Sequence, residues 1–144
     1  MPLQTHALPY RMTSDGFEVL LVTSRRKGKW ILPKGKIEAG ETAAHRASIE
    51  AFEEAGVRGT VAAEPLLASS LADPSQAQIY PLAVLEELEL WPEMGVRQRA
   101  WFSLPEARAR LRDAGLLRAL TAFAATVFED VRAATPTTRA PTPS

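Results

Sequence analysis

Apolar positions along the chain follow two rhythms, and the changes between them mark out the elements. The run Val19 to Val22, inside FEVLLVT, is apolar and rich in β-branched residues, and Thr13-Ser14-Asp15-Gly16 before it is a cluster of turn formers that follows His6 to Met12. That order predicts a β-hairpin. Trp30-Ile31-Leu32-Pro33 is a short apolar run closed by proline, so a strand should give way to a loop at Lys34-Gly35-Lys36. From Thr42 to Ala55 the rhythm becomes helical, with Thr42 placed to cap the first turn and Gly56 to stop the last. Short strands are expected over Gly59 to Ala63 and Leu66 to Leu71, a longer one over Gln78 to Leu88, and another over Arg99 to Phe102. The glutamates between Val84 and Leu90 leave a helical reading of that stretch open.

Ser103 and Glu106 have capping-box spacing around Pro105, which predicts a helix from Pro105 to about Asp113. A second helix, Leu116 to Val131, carries Leu117, Leu120, Phe123, Ala124, Val127 and Phe128 at helical spacing and should pack on a sheet. Residues 132–144 are rich in Pro, Thr and Ala, lack large apolar side chains, and are expected to form a disordered tail.

Composition narrows the functional classes. A chain of 144 residues, nearly half of them apolar, can bury one sizeable core, so residues 1–131 are read as a single domain. The 17 basic and 17 acidic side chains cancel, which argues against a nucleic-acid or membrane surface as the main partner. Any charged ligand must then be met by a local cluster. The absence of cysteine excludes disulfides, thiolate zinc sites and a cysteine nucleophile, and suits a reducing cytoplasm. No apolar run has the length of a signal peptide or of a membrane span.

The candidate chemistry lies on the first helix. Glu50, Glu53 and Glu54 are spaced i, i+3, i+4, so on a helix turning about 100° per residue they share one face. Ala44, Ala47, Ala51 and Ala55 fall on the other, where small side chains let a helix lie close to a sheet. The acid is therefore expected to face outward. Three carboxylates one turn apart repel, and a hard cation, which prefers oxygen ligands, would relieve that repulsion while leaving positions open for phosphate oxygens. An isolated Glu-x-x-Glu-Glu is more often a solvated face, and spacing alone does not decide between the two.

The longer stretch GKIEAGETAAHRASIEAFEEAGV, residues 35–57, sets Gly35, Glu41, Glu50, Glu53, Glu54 and Gly56 in one frame. It resembles the Nudix box, Gx5Ex7REUxEExGU, where U is a bulky aliphatic residue. That resemblance implies an α/β protein of the α+β kind, with a mixed sheet sandwiched between helices. It further implies hydrolysis of a diphosphate linkage with magnesium or manganese. The roles it carries over are Glu50 and Glu54 as metal ligands, Glu53 as ligand or general base, Glu41 as an outer ligand, and Gly35 as a source of a backbone carbonyl. EVLLVTSRRKGKWILPKG before the box and RQRAWFSLPEA after it are similar to the diphosphoinositol polyphosphate phosphohydrolases and their bacterial relatives. From that likeness Arg11, Ser24, Arg25, Arg26, Lys34, Arg97 and Arg99 are expected to contact substrate phosphates, and arginine forks suit phosphate oxygens. Lys27, Lys29 and Lys36 extend the same positive rim.

The implied substrate is a small phosphorylated molecule, diphosphoinositol polyphosphate or dinucleoside polyphosphate in preference to a nucleoside triphosphate or an RNA 5′ end, acted on by a monomer or homodimer. The box arginine is missing. Ile49 stands where the family has an arginine that holds the box glutamates, so a nucleotide-binding module with weakened catalysis is the alternative reading. Arg46, one turn before Glu50 and about 60° around the helix from Ile49, is placed to substitute for it.

Overall fold

The structure, a computed structural model, describes residues 4–66 and 77–134. Its elements run in the order β1 (Gln4–Thr13), β2 (Gly16–Thr23), β3 (Trp30–Ile31), β4 (Lys34–Lys36), α1 (Ala43–Ala55), β5 (Val57–Val61), β6 (Ala77–Glu87), β7 (Arg99–Ser103), α2 (Leu104–Arg110) and α3 (Ala114–Ala134). The expected hairpin is present as β1 and β2, paired from Tyr10↔Val19 to Thr13↔Gly16.

All seven described strands join one sheet with a path β3-β2-β1-β6-β5. Strand β1 pairs with β6 in parallel, whereas every other pairing is antiparallel, so the sheet is mixed. Strand β2 also accepts β7 on its far edge, with Leu20 opposite Trp101. Because successive side chains of a strand point to opposite faces, the uninterrupted apolar run in β2 means that both faces are covered. Val19 and Leu21 join Leu8, Phe102, Leu116 and Leu120 under α2 and α3, while Leu20 and Val22 join Ala7, Leu82 and the alanine side of α1. Helices thus lie on both faces of a mixed sheet, the architecture the resemblance implied.

Several boundaries are shifted from the sequence reading, with β5 at Val57–Val61 rather than Gly59 to Ala63 and α2 ending at Arg110 rather than about Asp113. The expected loop at Lys34–Lys36 is the strand β4, because the start of β1 would otherwise leave its backbone groups unpaired; Gln4 faces Lys36 and His6 faces Lys34. The glutamate-rich end of β6 stays extended to Glu87, drawn into the ladder by β5. Helix α3 begins two residues earlier than expected and continues to Ala134, three residues into the stretch read as tail. The remainder of that stretch and the expected strand beyond Leu66 lie outside the described residues. No helix of the described residues is long and apolar enough to cross a membrane.

Candidate active site

Helix α1 has the ends its sequence calls for. The Thr42 side chain accepts the N–H of His45, and Gly56 adopts φ 68°, a left-handed conformation that glycine enters without a Cβ penalty. Ala47, Ala51 and Ala55 are fully buried against the sheet. That close seating brings the carboxylate side of the helix under the β3–β4 segment rather than into open water. Glu50 and Glu54 are 8% and 5% exposed, so the expectation that the acid faces outward is corrected for these two. Glu53 is the partly open member of the trio.

Each carboxylate has its own surroundings. A side chain at Gly35 would overlap the Glu50 carboxylate, so glycine there lets that carboxylate lie against strand β4. The backbone N–H of Lys34 donates to Glu54 at 3.2 Å, and the Arg97 guanidinium stands 3.5 Å from the same carboxylate. The Glu54 carboxyl is nevertheless held well above the ordinary carboxylate range, first by burial and then by the adjoining Glu50, against the pull of Arg97 and the Lys34 N–H. Burial, and then Glu50, push Glu53 upward as well. Arg46 lies along the other side, donating to Glu41 at 2.8 and 2.6 Å and to Glu50 at 3.2 Å. Its fork is the leading cause that keeps the Glu41 carboxyl below its usual range.

A cationic recess adjoins this acidic one. A cleft of about 370 Å³ is lined by Ser24, Arg25, Arg26, Lys27, Lys29, Ile31, Lys34 and Arg97. Ser24 organises its rim, since its backbone N–H donates to the Lys29 carbonyl and its Oγ accepts the Lys29 N–H. Among the described residues none of Arg25, Arg26, Lys27, Lys29 and Lys34 forms an ion pair. Lys34 and Arg97 belong to both halves, lining the cleft while touching Glu54.

The comparisons with known proteins agree with this geometry. The NUDIX domain family model matches residues 4–122. Nudix hydrolase 18, mitochondrial, of Arabidopsis thaliana is 39% identical over 124 residues, which cover 78% of this chain and 70% of that protein. The chain belongs to the Nudix family. A rat diphosphoinositol polyphosphate phosphohydrolase 2 is 36% identical over 94 residues, covering 62% of this chain and 52% of the relative. Among solved structures, a C. elegans Ap4A hydrolase superimposes with a TM-score of 0.65 at 20% identity, over 88% of this chain and 99% of that one. At that identity the superposition speaks for the fold, and the curated relatives make this Nudix chain a hydrolase.

Within the Nudix box, then, Gly35, Glu41, Glu50, Glu53 and Glu54 are gathered on one side of α1 as expected. Their oxygen donors fit a hard cation by type, and among the described residues the ion pairs of Glu41, Glu50, Glu54 and Glu93 are made by two guanidiniums, those of Arg46 and Arg97. As placed, no three acidic side chains among the described residues converge tightly enough to enclose an ion. Glu50 is turned to Arg46 and Glu54 to Lys34 and Arg97.

Two expected phosphate contacts lie elsewhere. Arg11 pairs with Glu18 at 2.8 Å and lies over the Trp101 ring, in the sheet rather than at the cleft. Arg99 donates to the carbonyls of Ala55 and Leu88 at 2.9 and 2.6 Å and stacks on Trp91. It supplies the positive charge that the last turn of α1 lacks. Arg97 does line the cleft, but it is committed to Glu93 at 2.7 Å and to the Thr23 carbonyl at 3.0 Å.

Two residues that pattern reading did not single out complete the frame. Trp91 donates its indole N–H to the Glu54 carbonyl and the Glu93 N–H donates to the Glu53 carbonyl, both at 3.0 Å. These bonds fasten the segment after β6 to the end of α1. A tryptophan and proline in a turn give no sequence signal for such a docking.

Proposed function

We propose that this Nudix hydrolase uses magnesium or manganese, held by Glu50, Glu53 and Glu54 with Glu41 and the Gly35 carbonyl alongside, to cleave a diphosphate in a phosphorylated small molecule. The observation that carries the reading is the junction of the two recesses, where Lys34 and Arg97 connect buried carboxyl groups to a cleft whose Arg25, Arg26, Lys27 and Lys29 form no ion pair among the described residues. A hard divalent cation, when bound, would neutralise phosphate charge and make a water more acidic. The chain's own residues would supply the rest. Arg25, Arg26, Lys27, Lys29 and Lys34 would hold the phosphates in line, and the Ser24 turn would fix the spacing of those side chains. Glu53, partly open to solvent and with its carboxyl pushed upward, would take the proton from the attacking water.

The number of cations in the cleft that form no ion pair among the described residues favours a densely phosphorylated substrate, diphosphoinositol polyphosphate or dinucleoside polyphosphate, over a nucleoside triphosphate or an RNA 5′ end. Similarity to the rat phosphohydrolase points the same way. The cytoplasm, a reducing compartment, fits a chain without cysteine. A nucleotide-binding module without turnover draws its support from Ile49, and the Arg46–Glu50 contact weakens that support.

The test is release of product, whether phosphate, pyrophosphate or a nucleotide according to the linkage cut, from these four substrate classes with Mg2+ or Mn2+. Release from the polyphosphorylated pair, lowered by orders of magnitude in Glu53→Gln, is the expected result. Binding without product from any of the four would sink the enzymatic reading, and full activity of Glu53→Gln would remove it as the base.

A further inference from the structure

Position 49 does not face the carboxylates. Ile49 lines a shallow recess with Ser48, Phe52, Arg58 and Leu82, on the flank where the Arg58 guanidinium lies over the Phe52 ring. An arginine placed there would begin beside another guanidinium. Arg46, one turn earlier, stands on the carboxylate side instead, only 15% exposed, and reaches two of the expected cation ligands at once.

The form of that contact matters. Nε and Nη2 grip the two oxygens of Glu41 as a fork at 2.8 and 2.6 Å, and Nη1 reaches Glu50 Oε2 at 3.2 Å. Because the guanidinium is planar, these bonds fix the two carboxylates relative to each other. Glu41 is tied down again from the loop side, where its Oε1 accepts the Glu38 N–H at 2.8 Å and its own N–H donates to the Glu38 carbonyl. Glu50 is confined in turn by the backbone of Gly35. One side chain thus couples the loop before α1 to the middle of that helix.

We propose that Arg46 is the positioning residue that presents Glu41 and Glu50 to the cation, a duty moved one helical turn from the position that holds Ile49. The inference rests on the metal-dependent reading above and adds which residue makes the carboxylates competent. An ammonium cannot replace the fork, since it is a point charge that would satisfy one carboxylate or the other.

The experiment is a Mn2+ titration followed by electron paramagnetic resonance, without substrate, on wild type, Arg46→Met and Arg46→Lys, with thermal melts of each. A lost ligand-orienting partner costs roughly 10–100-fold in metal affinity, and that weakening is expected in Arg46→Met, with Arg46→Lys regaining only a small part. If either variant binds Mn2+ as tightly as wild type, Arg46 has no positioning role. Should Arg46→Met fail to fold, Arg46→Lys alone decides by the same comparison. A wild type that binds no Mn2+ at millimolar concentration would overturn the metal-dependent reading itself, and this inference with it.

Discussion

Arg97 offers the sharpest separation between a residue that touches substrate and one that builds the site. Its side chain is 9% exposed and makes three contacts: Glu93 at 2.7 Å, the Thr23 carbonyl at 3.0 Å and Glu54 at 3.5 Å. Substituting methionine keeps most of the stem and removes all three. The Glu54 contact contributes least, because a carboxyl already raised by burial escapes an uncompensated charge by staying protonated. The other two are hydrogen bonds from a charged donor, worth about 1.5–3 kcal/mol each when buried, and Glu93 is a quarter exposed so water replaces part of its share. A net loss of about 3 kcal/mol follows, which for a chain of this size lowers Tm by about 10 °C. Melting curves and steady-state kinetics on Arg97→Met should therefore show a clear drop in Tm together with a lower kcat, since Glu54 and the Ser24 turn lose their common anchor. A variant that melts like wild type and differs only by a higher KM would refute this reasoning and return Arg97 to the role of a phosphate ligand.

Arg25→Ala with Arg26→Ala should raise KM for a polyphosphorylated substrate while sparing Tm, and added salt should raise the wild-type KM more than that of the double variant; a salt response equal in both would deny the cleft its role. Gly35→Ala should push the Glu50 carboxylate from its seat and cost on the order of 100-fold in turnover, the scale of an ångström misplacement, with β4 still paired; unchanged turnover would show that Glu50 need not lie there. His6 predicts an acid limit. Burial, and then Lys34, lower its pKa from 6.5 to about 4, so the fold favours the neutral ring: stability is whole above pH 6.5, falls as the pH drops toward 4, and is down by about 3 kcal/mol below that. His6→Gln should flatten urea stability measured between pH 6.5 and 4, and an unaltered slope would assign the loss to other groups.

What the sequence discloses about this protein follows the reach of each interaction. Thr42, Gly56, Ser103 and Glu106 act within one helical turn, and their caps are found where spacing places them. The i, i+4 relation of Arg46 to Glu50 is equally local, so a contact that a motif comparison marks as missing could be located by counting residues around a helix. Strand β4 is harder to foresee, because Lys34-Gly35-Lys36 has no strand pattern and is extended only because the start of β1 presents Gln4–His6 as an edge. The same limit explains the carboxylates. An acidic stripe on a helix reads as solvent-facing until the element that covers it is known, and the covering here comes from Gly35 and from Arg97, fifteen residues before Glu50 and forty-three after Glu54. Arg97 and Arg99 show the converse, since residues two apart on an extended strand would share a face, whereas only Arg99 lies within β7 and the two side chains part. One member reaches the Glu54 carboxylate and the other the carbonyls that end α1, and neither destination is written in the pair itself. Family patterns register which residue occupies a position, whereas catalysis depends on which atoms meet. Where Ile49 breaks the pattern and Arg46 restores the contact, the two criteria disagree, and metal affinity is the quantity that tells which of them governs this chain.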